Sequence, residues 1–243
     1  MPTLSPLDQQ LLSLASAGPQ AATIPDVVAL MTSIDDLLPE NDGLKWFNKV
    51  YLKVTEAIDH QPAANWSDPA WLRRLDVVFA GYYFKAITEF LNDDPTTPSA
   101  WDALLESRDK SDVERIQFAL AGMNAHINHD LALALIQTDS EMNLSEALPS
   151  PEHADYERVN SILAQLLPSV LTDLATGLLG GLAEDTGKVG RLLAIWNVAA
   201  ARDAAWSFAA YLRNVPQTAR PAALMFQDKL TGLAGRGLLL PLQ

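Results

Sequence analysis

The segment from Ser111 to Gln137, SDVERIQFALAGMNAHINHDLALALIQ, predicts the element around which the chain folds. Its apolar residues recur at the 3.6-residue period of an α-helix and line one face. These positions are Ile116, Leu120, Met123, Ile127, Leu131 and Ala134. The other sides also carry apolar residues, such as Phe118 and Leu133, which indicates an interior helix because a surface helix keeps a polar face. Ser111, followed three residues later by Glu114, matches a capping box and predicts the start of this central helix.

The remaining segments also carry helical rather than strand patterning. Apolar residues are spaced by three and four, alternation of period two is almost absent, and Pro or Gly clusters separate the segments. With 243 residues and 49% hydrophobic composition, the chain can bury one large core. We therefore predict an all-α fold, a single globular bundle of roughly eight or nine helices around the buried central helix. Residues 23–243 are predicted to form this domain, and residues 1–22 an N-terminal helical extension.

The composition excludes several classes of partner and site. A net charge of −13 argues against nucleic acid or an anionic membrane as a partner, because both need clustered Lys and Arg. The chain has no cysteine, which excludes disulfides, thiolate zinc sites and a cysteine nucleophile. The first residues, MPTLSPLDQQLL, do not match a secretory signal, and no apolar run reaches the roughly 18 residues of a membrane span. The sequence predicts a soluble cytoplasmic protein and leaves its oligomeric state open.

Four blocks of the sequence resemble a known family. They are GLKWFNKVYLKVTEA, WLRRLDVVFAGYYF, IQFALAGMNAHINHDLALAL and HADYERVN, and through them the chain is similar to an uncharacterised, mainly actinobacterial helical family with a domain of unknown function. The GMNAHIN-x-DL block is the most specific part. The resemblance runs from about Thr23 to the C-terminus and implies one helical domain. It directs attention to Asp76, Asn124, His126, Asn128, Asp130, His153 and Asn160. In that family the position of His129 is often basic but not histidine, which argues against His129 as a ligand.

The central helix carries four polar residues within two turns, namely Asn124, His126, Asn128 and Asp130. Buried polar side chains need partners, because an unpaired amide or hydroxyl costs on the order of 1–3 kcal/mol. A fully paired dry network is demanding, so we expect a cavity beside the central helix that holds water or a ligand. Helices carrying Asp76, His153 and Asp203 are expected to form its walls.

One interpretation of these residues is metal-free acid–base chemistry. His126 and Asp130 are four residues apart and lie on one helix edge, so Asp130 can orient the imidazole and make His126 a general base. At helical spacing, Asp76 shares an inward stripe with Phe79 and Tyr83, and Asp203 shares one with Trp196, Trp206 and Ala210. Either carboxyl, desolvated by these aromatic residues, would stay protonated and act as the acid. Asp203 could instead pair with an arginine such as Arg158 or Arg202. The predicted substrate contacts are Asn124, Asn128, Tyr83, Asn160 and Trp196.

A second interpretation is a metal site. His126 with Asp130 and His153 with Glu157 give the pattern HxxxD followed by HxxxE, which is similar to the ligand pattern of zinc-dependent phospholipase C and P1-type nucleases. Imidazole and carboxylate groups from two facing helices suit a divalent metal such as Zn. Those enzymes use an N-terminal tryptophan and more histidines than the four in this chain, which excludes their trinuclear site. A structural hydrogen bond within each pair is the alternative.

Two classes of function remain open. The first is an enzyme of lyase, cyclase or hydrolase type, with or without a metal, acting on a small and largely apolar ligand. The second is a non-catalytic helical binding or interaction protein in which the buried His, Asn and Asp groups only fix the packing of the helices. The sequence favours the enzyme, because histidines and carboxylates fall on several buried faces and a packing device needs fewer of them.

Overall fold

The computed structural model describes residues 4–144, 150–176 and 197–241 of the chain. The helices are α1 (Pro6–Ala15), α2 (Ile24–Leu37), α3 (Gly43–Asp59), α4 (Pro69–Leu91), α5 (Ser99–Leu105), α6 (Arg115–Ala125), α7 (Leu131–Glu141), α8 (Pro151–Thr176), α9 (Val198–Asn214) and α10 (Arg220–Leu238). A π-helical turn, His126–Asp130, joins α6 to α7 without a break, so that Arg115–Glu141 forms one long central helix. Short 3₁₀ turns occupy Gly18–Gln20 and Ala63–Asn65.

The all-α prediction is confirmed, since no strand occurs in the ranges that the structure describes. Buried side chains from α1 through α9, together with Leu239 directly after α10, form one continuous hydrophobic core. α1 contributes Leu11 and Ala15 to it, so residues of the predicted N-terminal extension pack within the same core as the rest of the chain. Within the described ranges, no helix combines the length and the apolar character that crossing a membrane requires.

The central helix is the buried axis of the bundle. Its first half packs against α3, α5 and α10, and its second half packs against α4 and α9. Every residue from Ile116 to Ile127 is buried, which confirms the predicted interior position. The predicted capping box is wrong, because Ser111 is exposed and lies outside the helix. The helix begins at Arg115, where the side chain of Gln117 accepts a hydrogen bond of 3.0 Å from the backbone N–H of Glu114.

The predicted inward face of α9 is also wrong. The sequence stripe placed Asp203 with Trp206 and Ala210 on the buried side, but Asp203 is exposed. The buried positions are Arg202, Ala205, Ala209 and Leu212, which are spaced by three and four and so share a face next to the predicted one. The bulky Trp206 is only half-buried at the edge of this face, because the small alanines bring α9 close to its neighbours.

A glycine sets the distance between the central helix and α3. Gly122 lies in α6 opposite the ring of Phe47, and a Cβ atom at this position would overlap that ring. Phe47 in turn borders the candidate functional site and packs edge-on against His126 with a centroid distance of 5.8 Å. Gly122 therefore allows the close helix contact on which one wall of the site depends.

We expect Gly122→Ala to lower the free energy of unfolding by about 1–2 kcal/mol. The added methyl group overpacks the contact with Phe47, and this cost exceeds the gain in helix propensity. Gly81→Ala is the matched control, because Gly81 also lies inside a helix but has open space where its Cβ would stand. It should raise stability by about 0.5–1 kcal/mol. Denaturant unfolding measures both, and equal effects of the two substitutions would contradict the close contact.

Candidate functional site

A cavity of about 70 Å³ lies beside the π turn of the central helix. Side chains from α3, α4, the central helix, α8 and α9 line it, and most of them are apolar. The apolar lining residues are Phe47, Val50, Val54, Ile58, Leu72, Leu75, Phe79, Met123, Ile127, Leu131, Val159, Leu163, Leu167 and Val198. Four residues bring polar groups to it, namely Tyr51, Asp76, His126 and Arg202. The predicted cavity next to the central helix is thus present, and Asp76 and His126 both border it.

The π turn brings His126 and Asp130 together. The backbone N–H of Leu131 bonds to the carbonyl of His126, five residues back, which widens the helix locally. Both side chains are buried, and Nδ1 of His126 lies 2.8 Å from Oδ2 of Asp130. Such widened turns often occur at functional sites. The sequence predicted this pair from its spacing, but nothing in the sequence indicated the extra residue in the turn.

Asp130 holds a buried negative charge with three donors. Besides His126, the indole N–H of Trp101 bonds to Oδ2 at 2.9 Å, and Nδ1 of His129 lies 2.8 Å from Oδ1. Burial alone would raise the pKa of Asp130, but the hydrogen bonds from His126 and His129 outweigh burial and hold the pKa below its ordinary value. Asp130 is therefore ionised at neutral pH and acts as an acceptor toward both imidazoles.

His126 presents one free nitrogen to the cavity. Its ring stacks on Phe79 with a centroid distance of 3.5 Å and an interplanar angle of 6°, and it meets Tyr51 edge-on. Burial lowers the pKa of His126 despite the neighbouring carboxylate of Asp130, so the ring is neutral at pH 7. Since ionised Asp130 can only accept, Nδ1 carries the proton and Nε2 keeps a lone pair. Nε2 is buried and has no hydrogen-bond partner in the described part of the chain.

Asp76 is the second unpaired group at the cavity. Its Oδ2 atom is buried and forms no hydrogen bond with the residues that the structure describes. Burial raises the pKa of Asp76 to about 7, although the positive charge of Arg202 opposes the shift. Tyr51 is a third such group, because its buried hydroxyl also has no hydrogen-bond partner among the described residues. Burial and the charge of Asp76 raise the pKa of Tyr51 well above its ordinary value, so the phenol keeps its proton. Asp76 can thus give up or take a proton near neutral pH.

Arg202 supplies a positive charge that the sequence analysis did not place at the site. It is buried, and its Nε donates to Oδ1 of Asn160 at 2.7 Å while its NH2 donates to the carbonyl of Tyr156 at 2.9 Å. Its guanidinium also lies 4.1 Å from the ring centre of Tyr156. Arg202 shares a helix face with Ala205 and Ala209, and this spacing could have predicted its burial. The prediction instead followed the tryptophans and placed Asp203 on the buried face. The predicted ligand contact Asn160 acts on the cavity through Arg202.

α10 contacts the π turn from the side away from the cavity. The amide of Gln227 donates a hydrogen bond of 2.8 Å to the backbone carbonyl of Asn128, inside the turn. Nε2 of His129 lies 3.7 Å from Oδ1 of Asp228. Burial would lower the pKa of His129, but the hydrogen bond to Asp130 and the charges of Asp130 and Asp228 raise it. The sequence analysis missed His129 because the resemblance argued against it, and it gave no signal that α10 packs against this turn.

Three of the predicted substrate contacts are structural instead. Asn124 donates to the carbonyl of Thr231 in α10 at 2.9 Å and accepts from Asn128, on its own helix, at 3.1 Å. The hydroxyl of Tyr83 donates to Oδ1 of Asn48 at 3.1 Å, in the buried contact between α3 and α4. None of the three borders the cavity, because direct partners within the protein satisfy them. The predicted contact Trp196 lies outside the described residues.

Two further predicted site residues do not reach the cavity. Asp203 is exposed on α9, so its predicted role as a desolvated acid is wrong. His153 is half-buried against Trp206, and its Nε2 lies 3.7 Å from the partly exposed Glu157.

The predicted metal ligands do not form one site. His126 and Asp130 bond to each other within the central helix, whereas His153 and Glu157 pair with each other on α8. Neither residue of the α8 pair lines the cavity. In the ranges that the structure describes, no three His, Asp or Glu side chains are arranged to hold a metal ion. The four-ligand set is therefore wrong, because the two pairs face different surroundings.

We expect Asp76→Asn to remove a pH dependence of stability between about pH 4 and 7. The folded protein keeps the Asp76 proton to about pH 7, whereas the unfolded chain loses it near 3.8. The folded state then binds more protons in this window, so stability of the native protein falls as pH rises through it. Relative to the native protein, Asp76→Asn should gain on the order of 2–4 kcal/mol across the window. Denaturant unfolding at several pH values measures this, with Asp203→Asn as the exposed control. Parallel curves for the native protein and Asp76→Asn would contradict the buried carboxyl.

We expect His126 to be neutral at pH 7, with its proton on Nδ1. Nitrogen-15 spectra that correlate ring nitrogens with ring protons report the tautomer directly, and the signals are assigned by their loss in His126→Gln. The titration midpoint should lie below the ordinary 6.5, because burial disfavours the charged ring. A proton on Nε2 at neutral pH would rule out a free base at the cavity.

Comparison with known proteins places the chain in a family without assigning it an activity. Residues 24–241 match the sequence model of DUF5995, described as a family of unknown function. No curated protein and no solved structure gives a significant match. The match covers most of the chain, including all four polar residues of the cavity. The chain therefore belongs to the DUF5995 family.

Proposed function

We propose that this protein is an enzyme that performs acid–base chemistry on a small, largely apolar substrate. The observation that carries the proposal is the buried, unpaired Nε2 of His126, which borders an apolar cavity and whose ring is oriented by ionised Asp130. A neutral imidazole in this position is a competent general base near neutral pH. Perturbed ionisable groups that share a cavity are typical of active sites.

The roles of the cavity residues follow from their protonation states. His126 takes a proton at Nε2, and the negative charge of Asp130 stabilises the imidazolium that forms. Asp76, with a pKa of about 7, supplies a proton to the departing oxygen from the same cavity. Arg202 is buried beside them and stabilises negative charge that develops on the substrate.

The lining of the cavity favours hydrolysis or elimination over nucleophilic catalysis. No serine, threonine or cysteine is among the lining residues in the described part of the chain. The proton that His126 removes would therefore come from water or from the substrate itself. In hydrolysis, the resulting water oxygen attacks the substrate and Asp76 protonates the leaving group. In a lyase or cyclase reaction, His126 removes a proton from the substrate itself, and Asp76 again protonates the departing oxygen.

A non-catalytic binding protein is the second candidate, and one observation favours it. Asn124 and Tyr83 bond to residues of neighbouring helices and Asn128 bonds to Asn124, so part of the buried polar set serves packing. The same cavity would then bind a small molecule without changing it. In both cases the acidic charge argues against nucleic acid and membrane partners, and a cytoplasmic location belongs to the proposal.

We expect the purified protein to turn over at least one compound in a panel of short esters, lactones, epoxides and hydroxy acids, followed by proton NMR. His126→Gln should lower kcat/KM by about 10²–10⁴, because it removes the base. His60→Gln is the matched control, since His60 is exposed at the end of α3. The rate should rise with pH as His126 loses its proton and fall near pH 7 as Asp76 ionises.

Asp76→Asn tests which residue causes each side of the pH–rate profile. It should remove the fall near pH 7 and keep the rise at lower pH, since the asparagine does not ionise. Activity that survives in His126→Gln would contradict the catalytic proposal and favour the binding protein. No turnover of any panel compound, together with saturable binding of one of them, would favour it as well.

A further inference from the structure

We infer that the cavity binds a neutral compound with a compact apolar body and a hydroxyl group, and that this hydroxyl donates a hydrogen bond to Nε2 of His126. The inference names the substrate class of the proposed active site and rests on that proposal for its catalytic meaning. It starts from two unpaired atoms in the cavity, the charge balance around them and the nature of the walls.

Two of the three unpaired ionisable groups at the cavity are acceptors, while the third, the hydroxyl of Tyr51, keeps its proton and can donate. Nε2 of His126 has a lone pair because the proton is on Nδ1, which faces ionised Asp130. Oδ2 of Asp76 is buried without a partner, and an ionised carboxylate accepts only. The fitting ligand must therefore bring a donor, an O–H or an N–H. An ether, a ketone or a hydrocarbon of the same size would leave both acceptors unpaired.

The charge balance selects a neutral donor. The cavity contains one negative group, Asp76, and one positive group, Arg202, while the ring of His126 is neutral. Arg202 already donates to Asn160 and to the carbonyl of Tyr156, so it is held in place without a ligand. At pH 8, above the pKa of about 7, Asp76 is ionised and the two charges sum to zero. An ammonium or carboxylate ligand would then add an uncompensated charge among apolar walls, which is costly.

The walls and the space set the rest of the ligand. Aromatic rings of Phe47 and Phe79 and aliphatic side chains from α4 and α8 surround the volume of about 70 Å³. Such walls favour a saturated or aromatic body of few atoms over a polar one. A sugar or another polyol would leave several hydroxyls without partners here. A hydroxyl is also a group from which His126 can take a proton, so binding and the proposed chemistry use the same contact.

The test compares three probes that share one body: cyclopentanol, cyclopentylamine and cyclopentanecarboxylate. Isothermal titration calorimetry at pH 8, where Asp76 is ionised, measures their affinities for the full-length protein. We expect cyclopentanol to bind at least about tenfold more tightly than either charged probe. His126→Phe keeps a flat ring against Phe79 and removes the acceptor, so it should weaken cyclopentanol binding by about tenfold.

A second variant and a control keep the test decisive if His126→Phe does not fold. Asp76→Asn removes the charge that opposes the carboxylate probe, so it should narrow the preference for cyclopentanol over cyclopentanecarboxylate. Asp203→Asn changes the same group on the exposed side of α9 and should leave all three affinities unchanged. Preferred binding of the amine or the carboxylate, or no binding of any probe, would overturn the inference.

The outcome for the ligand class is distinguishable from the outcome for catalysis. The binding of cyclopentanol is measured without turnover. If the protein prefers the alcohol but His126→Gln keeps full activity, only the catalytic proposal fails and the ligand class stands. Conversely, loss of activity in His126→Gln without a preference for the alcohol supports the catalytic proposal and overturns the ligand class.

Discussion

The buried carboxylate of Asp130 is the interaction on which the rest of the site depends. A charge in the core is tolerated only when donors surround it, and Asp130 has three, from α5 and from both histidines of the π turn. The two histidines are affected differently. His129 is also close to Asp228, which raises its pKa, whereas burial dominates at His126 and lowers its pKa. One carboxylate therefore holds on one side a histidine with a raised pKa and on the other a neutral base.

The π turn and α10 make this arrangement possible. Gln227 of α10 donates a hydrogen bond to the backbone carbonyl of Asn128, inside the turn. A second contact along the same helix joins Asn124 to the carbonyl of Thr231. Asp228 accepts from the backbone N–H groups of Ser99 and Ala100, which start α5 and so place its tryptophan against Asp130. α10 thus supports the site without touching the cavity.

Periodicity predicted the fold better than it predicted the site. The helical spacing and the proline and glycine breaks are local signals, so the all-α fold and the buried central helix could be predicted from the sequence. The same spacing paired His126 with Asp130 and placed Asp76 on an inward stripe. It could not show the π turn, because an extra residue in a helix turn depends on contacts from a distant helix.

The errors at the site have a common physical cause. The tryptophans were assumed to mark the buried face of α9, so Asp203 was predicted to be buried and Arg202 was not placed at the site. The buried face of α9 is instead formed largely by alanines, next to Arg202. Likewise, buried asparagine was taken as a sign of a ligand, although a neighbouring backbone carbonyl satisfies Asn124 as well as a ligand would. Whether a buried polar group has a partner depends on how the helices pack in three dimensions. A single sequence shows only which residues share one face of a helix.

The contrast between satisfied and unsatisfied polar groups is the strongest reason to read the cavity as functional. Asn48 and Asn124 are buried and polar, yet both bond directly to backbone or side chains of neighbouring helices. The chain can therefore pair its interior polar groups where packing is the only demand. Among the other buried unpaired atoms, the hydroxyl of Tyr51 also borders the cavity, whereas Oγ1 of Thr138 does not. His126 and Asp76 differ from Asn48 and Asn124, because, like Tyr51, they are left open toward the same apolar space. Leaving both unpaired costs stability, on the order of 1–3 kcal/mol for each group, and a bound ligand is the partner that would repay it.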